Sequence, residues 1–130
     1  MSQPVKIVGY VQAGFQSPAL DYSEEEIDLR KILMPKPSIF HFRARNDSMI
    51  GAGIFEDSIL VVDKARNPKN YSIIIASING EFVVKYLVKD IQGIQLVPDN
   101  PKYKPVRVTE EMNFQVWGVV TAVVTIKEMV

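Results

Sequence analysis

From residue 38 onward, apolar and polar positions alternate along most of the chain with a period of two, which predicts strands rather than helices. Between Ile39 and Arg45, the residues Ile39, His41, Arg43 and Arg45 fall on one face and Phe40, Phe42 and Ala44 on the other. Ser58 to Val62 and Tyr71 to Ile78 are rich in β-branched residues, which pack well on a pleated surface. Asn79-Gly80 then supplies the two left-handed positions of a tight hairpin, which predicts a paired strand over Glu81 to Val88. Further strands are expected at Ile91 to Val97 and Pro105 to Val108, with a long last one from Phe114 to about Lys127. Many short strands separated by turns predict a mainly β protein, a compact and partly closed barrel or sandwich.

The first part of the chain has a different composition. Gly14, Pro18, the acidic run Glu24-Glu25-Glu26 and the break Pro35-Lys36-Pro37 predict an extended N-terminal arm with one short helix. Ser23 and Glu26 have the spacing of a capping box, Ile27, Leu29, Ile32 and Leu33 would form the apolar face, and Pro35 would end the helix. The expected organisation is an arm over residues 1–38 and a β-rich domain over residues 39–130.

Composition narrows the function classes. Fifteen basic residues balance fifteen acidic ones, which argues against a broad basic surface for nucleic acid. The small cluster Lys64, Arg66 and Lys69 reads as a solvated turn. There are no cysteines, so no disulfide framework is possible and a reducing compartment is expected. No apolar stretch approaches the roughly 18 residues of a membrane span, and the first residues lack the apolar core of a signal peptide; the expectation is a cytoplasmic protein. No His, Cys, Asp or Glu spacing resembles a metal site, and Gly51-Ala52-Gly53 lacks the spacing of a phosphate loop, so no cofactor is expected. Trp117 and Phe114 read as core, Asp57 and Asp63 as turn residues, and His41 as a surface or interface histidine.

The chemistry lies in two residues, Ser48 in Asn46-Asp47-Ser48-Met49 and Lys85 in Phe82-Val83-Val84-Lys85-Tyr86-Leu87-Val88. With strand alternation Lys85 stands between Val83 and Leu87 on one face. Burial disfavours the ammonium, and a neutral lysine is a base strong enough to activate a serine hydroxyl. Ser48 follows a predicted strand in a turn-like context, which would expose its hydroxyl. Backbone amides there, those of Asp47 and Ser48, are the candidate donors to a developing oxyanion.

These residues sit within a longer series. It comprises Ala13-Gly14-Phe15-Gln16-Ser17-Pro18-Ala19, Asp21-Tyr22, Ile27-Asp28-Leu29, Pro37-Ser38, Asp47-Ser48-Met49-Ile50, Gly53-Ile54 and Asp57-Ser58-Ile59-Leu60-Val61-Val62-Asp63. It continues with Gly80-Glu81-Phe82-Val83-Val84-Lys85, Leu96-Val97-Pro98-Asp99-Asn100 and Val116-Trp117-Gly118-Val119-Val120. In that order the segments resemble the LexA/UmuD family of self-cleaving proteins, whose fold is similar to the catalytic core of signal peptidases. The resemblance implies that Ser48 is the nucleophile, Lys85 the general base and Ala13–Gly14 the scissile bond. It also implies a homodimer, cleavage stimulated by RecA filaments on single-stranded DNA, and service as an accessory subunit of a Y-family (UmuC-like) error-prone translesion polymerase in the SOS response to DNA damage. The chain departs from the family in carrying Asn46 and Glu56 where glycine is common.

Two other readings stand beside this one. A LexA-like repressor core would need a DNA-binding element, and no helix-turn-helix pattern precedes the cleavage segment. In a non-catalytic polymerase-binding module, Ser48 and Lys85 would be relics. The sequence is compatible with attack within one chain and with attack between dimer partners.

Overall fold

The structure, a computed structural model, describes residues 4–11, 13–14 and 22–128. Phe15 to Ala19, the latter part of the cleavage-segment match, and Pro18 with them, lie outside the described residues. The chain divides into two compact units, Met1–Lys36 and Pro37–Val130.

In the first unit, β1 (Val5–Gly9) pairs antiparallel with β2 (Tyr22–Ile27), and the short helix α1 spans Leu29–Leu33. The capping box expected at Ser23 and Glu26 does not form, because those residues belong to β2. Cross-strand pairing takes precedence there: Glu26 lies opposite Lys6, a favourable charge pairing, and Ile27 lies opposite Val5. The helix begins after Asp28 instead, whose carboxylate accepts from the Arg30 amide at 3.0 Å.

The second unit is built on a seven-stranded sheet. Its strands are β3 (Ile39–Arg43), β4 (Ile59–Asp63), β5 (Ile73–Ile78), β6 (Glu81–Asp90), β7 (Gly93–Val97), β8 (Val106–Arg107) and β9 (Phe114–Val124). The spatial order is β3-β4-β9-β5-β6-β7-β8, and every neighbouring pair is antiparallel. The mainly β expectation is met; most strands are shorter than expected by a few residues, whereas β6 runs on to Asp90 and β4 to Asp63. The Asn79-Gly80 hairpin forms as expected: both residues have positive φ, 50° and 84°, and Ile78 pairs with Glu81.

β9 enters the sheet last in sequence but lies between β4 and β5, joining the first hairpin to the second. Its pairing shifts register twice, between Val61 and Val62 on β4 and between Ile75 and Ala76 on β5. Such bulges bend a sheet and increase its twist. Alternate residues of β5 feed two cores. Ile75 joins Ala44, Met49, Ile54, Leu60 and Val62, while Ile74 and Ala76 join Leu87, Leu96 and Val119.

One expectation is refined and one corrected. Trp117 packs against the first core but is only half-buried, at the centre of an aromatic cluster with edge-to-face contacts to Phe40 (5.3 Å), Phe42 (4.9 Å) and Phe82 (6.0 Å). It occupies the bulge between the Ile75–Gly118 and Ala76–Val116 pairs, which displaces it from regular alternation. Asp63 is not an exposed turn residue but is 1% exposed at the end of β4. Its carboxylate accepts from Ser38 Oγ at 2.8 Å and from the Ala65 amide at 3.0 Å, which pays for its burial.

Leu87, fully buried on β6 two residues beyond Lys85, ties this strand to the second core. Leu87→Ala is predicted to lower unfolding stability by about 2–5 kcal/mol, measured by urea denaturation.

Candidate functional site

The segment after β3 is shaped by its first few residues. Ala44, 2% exposed, donates its amide to the Ser58 carbonyl and accepts from the Asp57 amide, each at 2.9 Å. This pair of bonds fixes where the chain leaves the sheet. Asn46 then adopts φ 59°, a left-handed conformation that asparagine tolerates better than most residues. Its amide donates to Glu56 Oε1 and its side-chain Oδ1 accepts from the Ser48 amide at 3.0 Å. The turn buries Ser48 to 3% exposure and sends Met49, 1% exposed, into the first core.

β6 brings the lysine. Lys85 pairs with the fully buried Ile74 on β5 and shares a face with Val83 and Leu87. Its Nζ donates to Ser48 Oγ at 2.8 Å, across 37 residues of sequence. Among the described residues Lys85 makes no ion pair, and burial alone pushes its ammonium below the ordinary lysine value of 10.5. The two residues line a cleft with Phe42, Ala44, Asn46, Phe82 and Val84.

A second loop braces the serine from behind. The Asp99 amide donates to the Ser48 carbonyl at 2.8 Å, and the Gly51 amide donates to the Asp99 carbonyl at 2.9 Å. Asn100 Nδ2 donates to the Asp47 carbonyl at 2.9 Å. Tyr103 donates its hydroxyl to Asp47 Oδ1 at 2.6 Å and so holds that carboxyl below the ordinary carboxylate range. Tyr86, next to Lys85 on β6, donates to Asp99 Oδ2 at 2.8 Å, which raises its own hydroxyl pKa. One loop therefore grips both flanks of Ser48 and is itself tied to the strand that carries Lys85.

The sequence reading paired Ser48 with Lys85 and missed this brace. In the sequence Pro98-Asp99-Asn100 stands out only as part of a segment that matches the family, and nothing local points Tyr86 or Tyr103 at it. Of the candidate oxyanion donors, the Ser48 amide is occupied by the Asn46 side chain. Asp47 contributes its carbonyl and carboxylate to the brace. Ala13 and Gly14 are exposed in the first unit. His41 is exposed on β3, opposite Val61, and does not line the cleft. The Lys64, Arg66 and Lys69 turn is put to local use. Lys64 Nζ stands 4.7 Å from the Trp117 ring centroid, Arg66 lies 3.9 Å from Asp63, and the Lys69 amide donates to Ser72 Oγ. Among the described residues there is no cluster of three or more potential metal ligands, and no helix is long and apolar enough to cross a membrane.

The architecture is therefore that of a mainly β protein whose site joins a braced serine to a desolvated lysine. The peptidase S24-like family model matches residues 6–121, most of the chain, and the chain belongs to that family of self-cleaving serine peptidases. The protein ImpA of Salmonella typhimurium is 41% identical over 115 residues, covering 87% of this chain and 77% of that protein. The protein SamA of Salmonella typhimurium strain LT2 is 46% identical over 111 residues, 85% of this chain and 76% of SamA. The LexA repressor of Carboxydothermus hydrogenoformans is 36% identical over 109 residues, 82% of this chain but 53% of the repressor.

Gly51 has no room for a side chain, because a Cβ there would stand 2.9 Å from the Asp99 carbonyl oxygen. Gly51→Ala is predicted to lower stability by about 1–3 kcal/mol in denaturant titrations, by forcing the two loops apart.

Proposed function

We propose that this protein cleaves itself at Ala13–Gly14, with Ser48 as nucleophile and Lys85 as general base. The observation that carries this reading is the 2.8 Å contact between Lys85 Nζ and Ser48 Oγ, made by a lysine that burial drives toward its neutral form. The neutral amine accepts the hydroxyl proton across that contact as Oγ attacks the Ala13 carbonyl carbon. Collapse of the tetrahedral intermediate breaks the bond to the Gly14 nitrogen, which leaves as an amine after taking the proton back from Lys85. Water then hydrolyses the Ser48 ester, which releases residues 1–13 with Ala13 as a carboxylate, restores the Ser48 hydroxyl and leaves a chain that begins at Gly14. Small residues at the scissile bond suit this chemistry, since a bent backbone must approach the nucleophile closely.

The biological setting proposed is the SOS response, with the shortened form acting as a homodimeric accessory subunit of a Y-family translesion polymerase. RecA filaments on single-stranded DNA would stimulate cleavage. Support comes from the ordered family segments in the sequence and from the similarity to ImpA and SamA over more than three-quarters of each. The LexA similarity covers the shared region and supports the cleavage chemistry; repression is what that relative's name states of the relative.

Raising pH converts more Lys85 to the neutral base, so self-cleavage without activator is predicted to accelerate as pH rises from neutral and to level off below the ordinary lysine value of 10.5. Intact-mass spectrometry over a pH series checks this. Wild type should yield a fragment starting at Gly14, while Ser48→Ala and Lys85→Ala should yield none, a loss of at least about 100-fold. Cleavage by Ser48→Ala would remove Ser48 as nucleophile. A wild-type rate unchanged across the series would remove Lys85 as titrating base. RecA, single-stranded DNA and a nucleoside triphosphate, added at neutral pH, should accelerate the same cleavage.

A further inference from the structure

We infer that the Asn46 side chain is a self-inhibitory plug, its carboxamide oxygen holding the position that the substrate carbonyl oxygen must take in the reaction. The inference rests on the reading of Ser48 as nucleophile with its own amide as an oxyanion donor.

Asn46 Oδ1 accepts from the Ser48 amide at 3.0 Å, in the same cleft as Ser48 Oγ and Lys85. A carboxamide is the same chemical group as the peptide to be cut, so a carbonyl oxygen of substrate type already occupies the donor. Its carbon bears an NH2 group rather than a stretch of backbone, so the contact cuts no peptide bond. The backbone of Asn46 is fixed, with φ 59° and its amide held by Glu56 Oε1, but the side chain is exposed. Removing the plug therefore requires only a side-chain rotation, with no refolding of the nucleophile turn. The incoming Ala13 carbonyl competes for one amide with a group tethered two residues away. Each cleavage event must first break that hydrogen bond, and Asn46 thereby sets how slowly the resting protein cleaves.

Glycine is the discriminating replacement, because it accepts a positive φ and removes the carboxamide. Asn46→Gly is expected to raise the rate of self-cleavage at pH ~10 by about 5-fold, the equivalent of one ordinary hydrogen bond. Asn46→Asp keeps an acceptor on the Ser48 amide, now negatively charged, and is expected to cleave more slowly than wild type. A second readout needs no cleavage: a fluorophosphonate probe bonds to Ser48 Oγ with loss of fluoride, its phosphoryl oxygen seeking the same amide. Labelling of Asn46→Gly should be faster than that of wild type by a similar factor, with Ser48→Ala as the unlabelled control. Thermal melting verifies that the variants are folded. Folded Asn46→Gly that labels and cleaves no faster than wild type overturns the plug and leaves the Ser48 mechanism standing. A slower Asn46→Gly also overturns it, and would make the Asn46 amide group a contributor to the reaction. Absence of labelling and of cleavage in every form overturns the nucleophile reading and the plug with it.

Discussion

A half-buried lysine amine is held in contact with a serine hydroxyl and, among the described residues, in no ion pair with a carboxylate, and the rest of the site depends on this. Most buried lysines are paired, because an isolated ammonium in a protein interior is strongly disfavoured. Lys85 makes no ion pair among the described residues and is pushed below its ordinary pKa by burial alone. Its polar contact is the Ser48 hydroxyl, a neutral group. A carboxylate in that position would stabilise the ammonium and abolish the base. β6 meets the constraint by setting Lys85 between Val83 and Leu87, opposite a fully buried isoleucine on β5.

Desolvating the lysine is useful only if the serine is held in register with it. Ser48 lies on a turn rather than on the sheet, and turns move more readily than strands. Here the turn is held on both sides: Ala44 bonds to the Asp57–Ser58 turn in front, and the Asp99–Tyr103 loop binds behind. The Tyr86 hydroxyl links that loop to the strand that positions the base. Nucleophile and base, 37 residues apart, thus share one short hydrogen-bonded frame. The same turn leaves Asn46 able to bond the Ser48 amide, so the conformation that braces the serine also supplies the contact that restrains it.

How much of this was legible in the sequence follows from the range of each signal. The strands were visible because their alternation is local, and the Asn79-Gly80 turn because positive φ at two successive residues needs those side chains. Ser48 and Lys85 were paired from chemistry, a serine in a turn and a lysine among valines, together with the ordered family segments. The Ser23–Glu26 capping box failed because a local motif was outweighed by pairing with a strand some twenty residues earlier, an interaction that local spacing does not encode. Asp63 looked like a turn residue because its partners, Ser38 and Ala65, are set by the tertiary path. The Asp99–Tyr103 brace was hidden for the same reason, and the Asn46 contact emerged only once its left-handed φ and side-chain direction were known.

The central claim is that folding depresses the Lys85 pKa enough to leave a usable neutral amine beside Ser48. The most direct test is an NMR titration of the Lys85 side chain, with ¹³Cε and ¹⁵Nζ labels, in a Ser48→Ala protein that stays intact throughout. The account predicts a midpoint clearly below those of the exposed lysines in the same spectra, returning to their range on denaturation. A Lys85 midpoint equal to or above those of the exposed lysines would contradict it.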